Sequence, residues 1–374
     1  MEGPRVSFVI PCYNLAQFLP ECVGSILAQS YADFEVLVID DCSPDNTAEV
    51  ALSFRDDRVR HVRNSSNLGH LANYNRGIAL ARGQYVWLIS PDDRLRRPYI
   101  LERYVRVMES HPEVGYACCP AVGLNGSTET EIENSIVNHD AIFRGKKFLR
   151  ILLTRGNCVI AASGMVRREC YERLGAFPLD LPYAGDWFLW CLFALHYDIA
   201  YFAEPMVNYR HHELSMTTYL TGERFAVRFK DGLAVLWRIR RRSQELGQQG
   251  LVDLCRHRIA YQYAHNMLGR NLEGSVYRMS VDEFETSLGE NASHEKEADC
   301  IRARTWELVG NWHFRQRDFG QARALFALAR SYGHVRLKTR AKQLLIACGL
   351  GNSGVTLFDK MLAVHHRFGS QRVR

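Results

Sequence analysis

The sequence FEVLVIDDCSPDNT, residues 34–47, joins a short apolar run to a turn rich in Asp, Ser, Pro and Asn. A continuous run of apolar, β-branched and aromatic residues is typical of a strand buried on both faces, as in a parallel sheet. The polar turn predicts where that strand ends. Residues 6–10 and 85–89 have the same character, so each is predicted to be a buried strand followed by a polar segment.

Helical patterns alternate with these strands. Residues 15–29, 48–55 and 73–82 are predicted helices. A repeated β-α-β order implies a mostly parallel sheet with helices on both faces. Ligands of such sheets bind beyond the carboxyl ends of the strands. If the strands are neighbours, we expect residues 11–14, 40–43 and 90–93 to line one crevice.

Composition predicts a soluble globular protein of two domains, because 47% of the 374 residues are hydrophobic and 24% are charged. Residues 1–221 carry 21 Lys/Arg and 26 Asp/Glu, a net charge of −5, whereas residues 222–374 carry 26 and 15, a net charge of +11. Helical periodicity dominates the second part. We therefore predict an α/β domain over residues 1–221 and a basic α-helical region over residues 222–374. A basic surface can meet nucleic acid, anionic lipid or an anionic substrate, or can simply be a solvated helix surface.

Cysteine usage and apolar runs bear on the compartment. The chain has 11 cysteines, an odd number with no C-x-x-C pair, which favours reduced thiols in a cytosolic protein. No signal-peptide pattern opens the sequence, and no run approaches the roughly 18 apolar residues of a membrane span. We therefore expect a cytoplasmic protein whose contact with a membrane, if it has one, is peripheral.

Glycine motifs exclude two nucleotide-binding families. A dinucleotide-binding protein would have G-x-G-x-x-G after the first strand, and here Pro11-Cys12-Tyr13-Asn14 stands there; a P-loop motif is absent as well. Phosphate charge must then be met by side chains or by a metal. Asp92 and Asp93 are adjacent like charges that need a partner between them. Oxygen ligands of this kind suit Mg²⁺ or Mn²⁺.

Several motifs, in order, carry a resemblance to a known family. They are VIPCYN (9–14), VIDDCSPDNT (38–47), NYNRGIALARG (73–83), SPDD (90–93), RLGAF (173–177), AGDW (184–187) and YRHH (209–212). Together they resemble glycosyltransferase family 2, inverting enzymes with the GT-A fold. The resemblance covers about residues 5–217. It implies a GT-A domain, a Rossmann-like mostly parallel sheet, followed by the helical region.

The resemblance implies a nucleotide-sugar site. Its predicted residues are Pro11, Tyr13, Asn14, Asp41, Asn67, Arg76, Asp92 and Arg210. Tyr13 would lie near the nucleobase, and Asp41 would accept a hydrogen bond from it, as from a uracil N–H. Alternatives remain for most of these positions: strand-end packing for Tyr13, a local turn for Asp41, a cap or surface position for Asn67 and Arg76, and a structural ion pair for Arg210.

The resemblance also implies metal and catalytic residues. Asp93 and His212 would bind the divalent metal, with His211 as the competing histidine. Ser90 stands where many relatives have a further carboxylate, so this chain lacks one possible ligand. Asp186 would be the general base that takes the acceptor's proton. A simple N-cap of the following helix is the alternative for Asp186, and Trp187 either shapes the pocket or packs in the core.

The sequence therefore predicts a metal-dependent, inverting transfer of a sugar from a nucleotide-sugar, most naturally a UDP-sugar, to a hydroxyl acceptor. A glycan or glycolipid of surface polysaccharide assembly is the acceptor that the resemblance implies, and no nucleic-acid partner is expected. The basic helical region would suit a peripheral contact with the inner face of the membrane or with a protein. A sugar-phosphate nucleotidyltransferase and a catalytically silent sugar-nucleotide sensor or scaffold are the alternatives.

Overall fold

The computed structural model describes residues 3–132, 134–212, 225–269, 278–333, 336–352 and 355. The chain divides into two compact units, Met1–Val235 and Leu236–Arg374. The predicted domain boundary, after residue 221, falls outside the described residues and stays a prediction.

The first unit is α/β. Its strands are β1 (Val6–Cys12), β2 (Phe34–Asp40), β3 (Val59–Arg63), β4 (Tyr85–Leu88), β5 (Arg94–Leu95), β6 (Val114–Cys118), β7 (Ala121–Asn125), β8 (Thr128–Thr130), β9 (Ala141–Phe143), β10 (Met165–Arg167), β11 (Asp198–Tyr201) and β12 (Val207–Arg210). Its helices are α1 (Leu19–Leu27), α2 (Thr47–Ser53), α3 (His70–Leu80), α4 (Ile100–Ser110), α5 (Gly145–Arg155), α6 (Arg168–Leu174) and α7 (Gly185–His196), with a 3₁₀ turn at Ala161–Ser163. Helix α8 (Phe225–Glu245) begins in this unit and continues into the next.

The main sheet has eight strands in the order β3-β2-β1-β4-β10-β6-β11-β9. The first four are parallel, as predicted. Strands β1 and β2 are buried along their whole length, and the Phe8 and Trp87 rings stack with centroids 5.4 Å apart. The carboxyl ends of β1, β2 and β4 lie side by side, because β1 pairs with both of the others. The three polar segments predicted to line a crevice therefore meet at one edge of the sheet.

The rest of the unit departs from the simple alternating pattern. Strands β6 and β7 follow one another in the chain but belong to different sheets. Pro120 lies between them, where its missing N–H interrupts a strand ladder. Strand β8 pairs antiparallel with the end of β7. The second sheet has the order β5-β12-β7-β8, and it brings β12 alongside the strand that follows the Asp92–Asp93 pair.

The second unit is helical in its described residues, as predicted. After the end of α8 it contains α9 (Gln249–Met267), α10 (Val281–Asn291), α11 (Glu295–Arg315), α12 (Phe319–Tyr332) and α13 (Leu337–Ala347). A small core forms where Phe314, Ala322 and Phe326 are buried together. A capping box fixes the start of α10, since Ser280 and Glu283 each accept a hydrogen bond from the other's backbone. Among the described helices, none is both long enough and apolar enough to cross a membrane.

Candidate active site

The segment after β1 is the first wall of the crevice. Pro11 is buried within β1, opposite Ile39 of β2. Tyr13 is 48% exposed, the open position expected of a residue that stacks on a ligand. Asn14 adopts a left-handed backbone conformation, with φ of 55°, and its N–H donates to Oγ of Ser43 at 3.2 Å. The backbone of Asn14 thus contacts the loop after β2, and Tyr13 lies next to it on the open side of the segment.

The carboxylate of Asp41 is buried and holds the neighbouring loop in place. Its Oδ1 accepts hydrogen bonds from Nδ2 of Asn64 at 2.6 Å and from the N–H of Leu68 at 2.8 Å, and its Oδ2 accepts from the N–H of Gly69 at 3.0 Å. An ionised carboxylate has about four acceptor positions, so one is left for a ligand. A contact between Asp41 and a base remains compatible with this geometry. Asn64, which the sequence did not single out, is the residue that orients it.

Asp40, next to Asp41, forms a local turn with Ser43. Its Oδ1 accepts from the N–H of Ser43 at 2.8 Å, and its Oδ2 accepts from Arg63 at 2.5 Å. Burial alone would raise the pKa of Asp40, but the hydrogen bonds from Ser43 and the charge of Arg63 lower it. Asp40 is therefore held as an anion within the protein.

Asn67 lies in the loop before α3, and Arg76 lies on α3 itself. Asn67 is exposed, and its Oδ1 accepts from the N–H of Gly69 at 2.9 Å, a local turn. Arg76 is partly exposed on α3. Contacts of these two side chains with a nucleotide stay predictions.

The carboxylate pair at the end of β4 is organised by β12. The backbone N–H of Arg210 donates to Oδ1 of Asp93 at 3.0 Å, and Nε2 of His212 lies 2.8 Å from Oδ2 of Asp92. His211 is exposed and its ring packs against Tyr209. Of the two competing histidines, the structure therefore brings His212 to the pair.

The guanidinium of Arg210 is committed to the protein. Its Nε donates to the carbonyl oxygen of Asp92 at 2.9 Å, Nη1 donates to the carbonyl oxygen of Gly126 at 2.8 Å, and Nη2 pairs with Glu21. The guanidinium also stacks over the ring of Phe18, 5.0 Å from its centroid. This geometry favours the structural alternative for Arg210 over direct binding of a phosphate.

The electrostatics of the Asp92 and Asp93 carboxylates favour a positively charged partner. Asp93 is buried, and burial together with the adjacent charge of Asp92 raises its pKa well above the ordinary value, against the opposing N–H and charge of Arg210. Oδ1 of Asp92 is buried and has no hydrogen-bond partner among the described residues. A buried acceptor without a donor and a carboxyl that resists ionisation both indicate a missing cation or donor.

A divalent cation fits these residues as an incomplete shell. Asp92, Asp93 and His212 supply oxygen and imidazole ligands next to one another, yet within the described ranges no group of three His, Cys, Asp or Glu is arranged to hold a metal ion by itself. Mg²⁺ and Mn²⁺ often take one or two carboxylates and complete their shell with water and substrate phosphates. The residues present are compatible with a metal that arrives with a diphosphate.

Asp186 lies in the first turn of α7. The N-cap of this helix is Ala184, so the simple N-cap alternative for Asp186 is wrong. Its Oδ1 accepts from the N–H of Trp187 at 2.6 Å and its Oδ2 accepts from Nδ2 of Asn157 at 2.8 Å. Burial raises the pKa of Asp186, and the hydrogen bonds from Asn157 and Trp187 oppose that effect. A carboxylate with a raised pKa is better matched to accept a proton near neutral pH.

Tyr74 connects the carboxylate pair with Asp186. This tyrosine of α3 packs edge to face on Phe177, with ring centroids 5.3 Å apart. Burial raises its pKa first, and the charges of Asp92, Asp186 and Asp93 raise it further. All three carboxylates therefore lie close enough to act on one hydroxyl. The sequence missed Tyr74 because a single tyrosine in a helix is more often a packing residue.

The sequence of this chain is similar to those of known glycosyltransferases. Residues 7–175 match the profile of glycosyl transferase family 2. The predicted resemblance to glycosyltransferase family 2 is thereby confirmed over these residues. The glycosyltransferase GlyG of Streptococcus pneumoniae is 35% identical over 111 residues, which are 29% of this chain and 37% of that protein. An uncharacterized glycosyltransferase of Nostoc sp. is 28% identical over 192 residues, 50% of this chain and 56% of that protein. The chain thus spans about two fifths to a little over half the length of these curated relatives.

A solved structure extends the likeness past the family 2 domain. Residues 1–349 of TarS of Staphylococcus aureus, in complex with UDP-GlcNAc, superpose with a TM-score of 0.60 at 16% identity, covering 89% of this chain and 93% of that chain. Likeness at this identity shows the fold. The predicted GT-A fold followed by a helical region is thereby confirmed.

Proposed function

We propose that this chain is a metal-dependent, inverting glycosyltransferase that moves a sugar from a UDP-sugar to a hydroxyl of a glycan or glycolipid acceptor. The observation that carries the proposal is the Asp92–Asp93 pair at the carboxyl end of β4, contacted by the backbone of Arg210 and the ring of His212, with a separate buried carboxylate, Asp186, whose charge acts with theirs on Tyr74. Two functions are thereby kept apart: an anionic pair suited to a metal and diphosphate, and a separate carboxylate suited to a proton.

In this proposal the donor lies across the edge of the sheet. Tyr13 stacks on the base, and the remaining acceptor position of Asp41 receives a base N–H. Supporting this assignment, Tyr13 is 48% exposed after β1, and Asp41 follows the neighbouring strand β2. UDP is the preferred nucleotide because a uracil N–H suits a carboxylate acceptor, and because TarS, which shares the fold, binds UDP-GlcNAc.

Asp186 serves as the general base. The acceptor oxygen attacks the anomeric carbon from the face opposite the diphosphate, the bond from that carbon to the diphosphate oxygen breaks, and Asp186 takes the acceptor proton. A single displacement of this kind inverts the anomeric centre. Asp93, Asp92 and His212 would hold the metal, which supplies positive charge for the leaving diphosphate. Asn157 keeps the ionised form of Asp186 available by donating to Oδ2.

The setting of the reaction is part of the proposal. The net charge of +11 over residues 222–374 would suit docking at an anionic membrane surface or at an acidic protein in the cytoplasm. A nucleotidyltransferase is less well supported, because the glycine- and arginine-rich loop expected after its first strand is replaced by Pro11-Cys12-Tyr13-Asn14.

A donor screen tests the proposal. The full chain is incubated with UDP-glucose, UDP-galactose, UDP-N-acetylglucosamine or GDP-mannose, with Mn²⁺ or with EDTA, and nucleoside diphosphate release to water is measured. We expect one UDP-sugar to be cleaved in Mn²⁺ and not in EDTA. Asp186→Asn and Asp93→Ala should each lower the rate by at least about 100-fold.

Asp57→Asn is the matched control, since Asp57 is exposed on the loop before β3. It should leave the rate unchanged. Binding of a UDP-sugar without release, unaltered by either active-site substitution, would instead support a silent sugar-nucleotide sensor.

A further inference from the structure

Helix α8 places a buried carboxylate at the start of the helix that carries Asp186. Asp231 is 5% exposed. Its Oδ2 accepts hydrogen bonds from the backbone N–H of Tyr183 at 2.7 Å and of Ala184 at 3.1 Å. Ala184 is the N-cap of α7, two residues before Asp186. Hydrogen bonds from backbone N–H groups to an ionised carboxylate are among the strong ones.

We propose that Asp231 is a positioning residue for the transfer reaction, which fixes the segment that delivers Asp186; this inference rests on the proposed function. The position of a general base matters because a displacement of about 1 Å can cost a factor of 100 in rate. Asp231 does not need to touch substrate for this role. It holds Tyr183 and Ala184, which stand three and two residues before the base.

Further contacts of α8 reach the same segment. The guanidinium of Arg228 lies over the ring of Tyr183, 5.2 Å from its centroid. A Cβ added to Gly232 would stand 3.8 Å from Cζ3 of Trp187, so that ring lies directly over the glycine. Residues 228, 231 and 232 therefore form one face of α8 against residues 183–187.

Helix α3 holds the segment from its other end. Asn75 exchanges two hydrogen bonds with the backbone of Phe177, each 2.8 Å long. The ring of His70 bonds to the carbonyl oxygen of Pro182 at 2.9 Å. The loop that leads to Asp186 is thus anchored by α3 at residues 177 and 182, and by Asp231 at residues 183 and 184.

With Asp231 in this role, the part of the chain that serves the transfer reaction extends beyond the family 2 match. The family match stops at residue 175, and the sequence motifs stop near residue 217. Asp231 lies beyond both. A helix that sequence assigns to an appendage would then contribute to the geometry of the base.

The test compares three variants of the full chain. Asp231→Ala removes the acceptor, and Asp231→Asn keeps one oxygen in the place of Oδ2. Asp318→Ala is the matched control, because Asp318 is an aspartate that caps a helix of the second unit, accepting from the N–H of Gln321 at 3.1 Å. Mn²⁺-dependent cleavage of the best donor from the screen is measured below the thermal midpoint of each variant. Asp231→Leu, which also lacks the acceptor but keeps the volume, is assayed beside Asp231→Ala in case the latter folds poorly.

We expect Asp231→Ala and Asp231→Leu to lower kcat by about 10- to 100-fold with the KM for the donor changed less than about threefold. Asp231→Asn should recover most of kcat, and Asp318→Ala should keep the wild-type kcat. Equal kcat for wild type and both acceptor-free variants would overturn the proposal, as would a rise in KM without a fall in kcat. Absence of cleavage by the wild type would instead reject the proposed function itself.

Discussion

Asn157 donates a hydrogen bond from Nδ2 to Oδ2 of Asp186 over 2.8 Å. Asn157 follows α5, at the point where Gly156 turns the chain with φ of 84°. The bond favours the ionised form of Asp186, while burial favours the neutral form. Asn157 therefore sets how far into the acidic range Asp186 can act as a base.

Asn157→Ala should shift the acid limb of the rate profile to higher pH. Removing the donor removes a factor that lowers the pKa of Asp186, so the carboxyl takes up a proton at a higher pH than in the wild type. The proton-accepting form is then lost earlier as the pH falls. The measurement is kcat for donor cleavage between pH 5 and pH 9.

Asn125→Ala is the control for this shift, because Asn125 is an exposed asparagine at the end of β7. Its profile should coincide with that of the wild type. An acid limb that moves to lower pH in Asn157→Ala would contradict the assignment of Asp186 as the base.

The adjacent histidines offer a matched pair of substitutions. His212→Ala removes the ring whose Nε2 lies 2.8 Å from Oδ2 of Asp92, whereas His211 is exposed. Loss of a group that binds a metal or orients its ligand typically costs 10- to 100-fold in metal affinity or activity. We therefore expect His212→Ala to raise the Mn²⁺ concentration needed for half-maximal cleavage by about that factor.

His211→Ala should leave the Mn²⁺ dependence within about twofold of the wild type. The titration is followed by nucleoside diphosphate release at saturating donor. If the effects of the two histidines were reversed, the structural placement of His212 at the carboxylate pair would be wrong for the working enzyme.

The strand and helix order of the first hundred residues could be predicted because each apolar run is short, continuous and closed by a turn. The strand predicted at residues 6–10 lies within β1, Val6–Cys12, and the strand predicted at residues 85–89 corresponds to β4, Tyr85–Leu88. The second sheet could not be predicted, because β5 has two residues and β8 three, too few for a periodic pattern. Their pairing depends on β12, which lies more than 100 residues further along the chain than β5.

Some residues of the candidate site could likewise be predicted from the sequence, and others could not. Asp92, Asp93 and Asp186 could be proposed because carboxylates at strand and helix ends carry recognisable chemistry. Asn157 and Asp231 could not, since their roles depend on which distant backbone or carboxylate they reach. The motif predicts Arg210 as a ligand residue and leaves a structural ion pair as the alternative, and its three protein acceptors favour the structural role.

Gly77 of α3 is predicted to be required for packing. A Cβ at this position would stand 2.2 Å from Cγ1 of Val9 and 3.1 Å from Cγ1 of Ile39, on the two central parallel strands. Gly77→Ala should therefore lower the free energy of unfolding by about 1–3 kcal/mol, the usual cost of overpacking a core. Gly24→Ala is the control, because nothing lies within 4 Å of its added Cβ on the exposed side of α1.

Gly24→Ala should raise the free energy of unfolding by about 0.5–1 kcal/mol, since alanine is the better helix former. Urea unfolding followed by circular dichroism measures both variants. Equal stability of Gly77→Ala and wild type would mean that α3 lies further from the sheet than the structure places it.

Glu297 is the charge on which the helical unit depends. Its Oε1 accepts from Nε of Arg256 at 2.6 Å, and its Oε2 accepts from the N–H of Ser293 at 3.0 Å and from Arg240. Arg240 is 1% exposed. Glu297→Gln would leave this buried guanidinium without its counter-ion, which should lower the free energy of unfolding by about 3–5 kcal/mol at pH 7.

The contribution of Glu297 to the free energy of unfolding should depend on pH, because only its ionised form pairs with the two arginines. Burial alone would raise the pKa of Glu297, but the hydrogen bonds from Ser293, Arg256 and Arg240 lower it below the ordinary value of 4.5. A carboxyl whose pKa is lower in the folded state stabilises the protein fully above the unfolded pKa, and that stabilisation is lost as the pH falls through the folded pKa. The stability difference between wild type and Glu297→Gln should therefore be constant above about pH 5.5 and shrink below pH 4.5. Glu295→Gln, two residues earlier on α11 and 76% exposed, should change stability by less than about 1 kcal/mol at any pH. A wild-type advantage over Glu297→Gln that grows as the pH falls would show that Glu297 is protonated in the native protein.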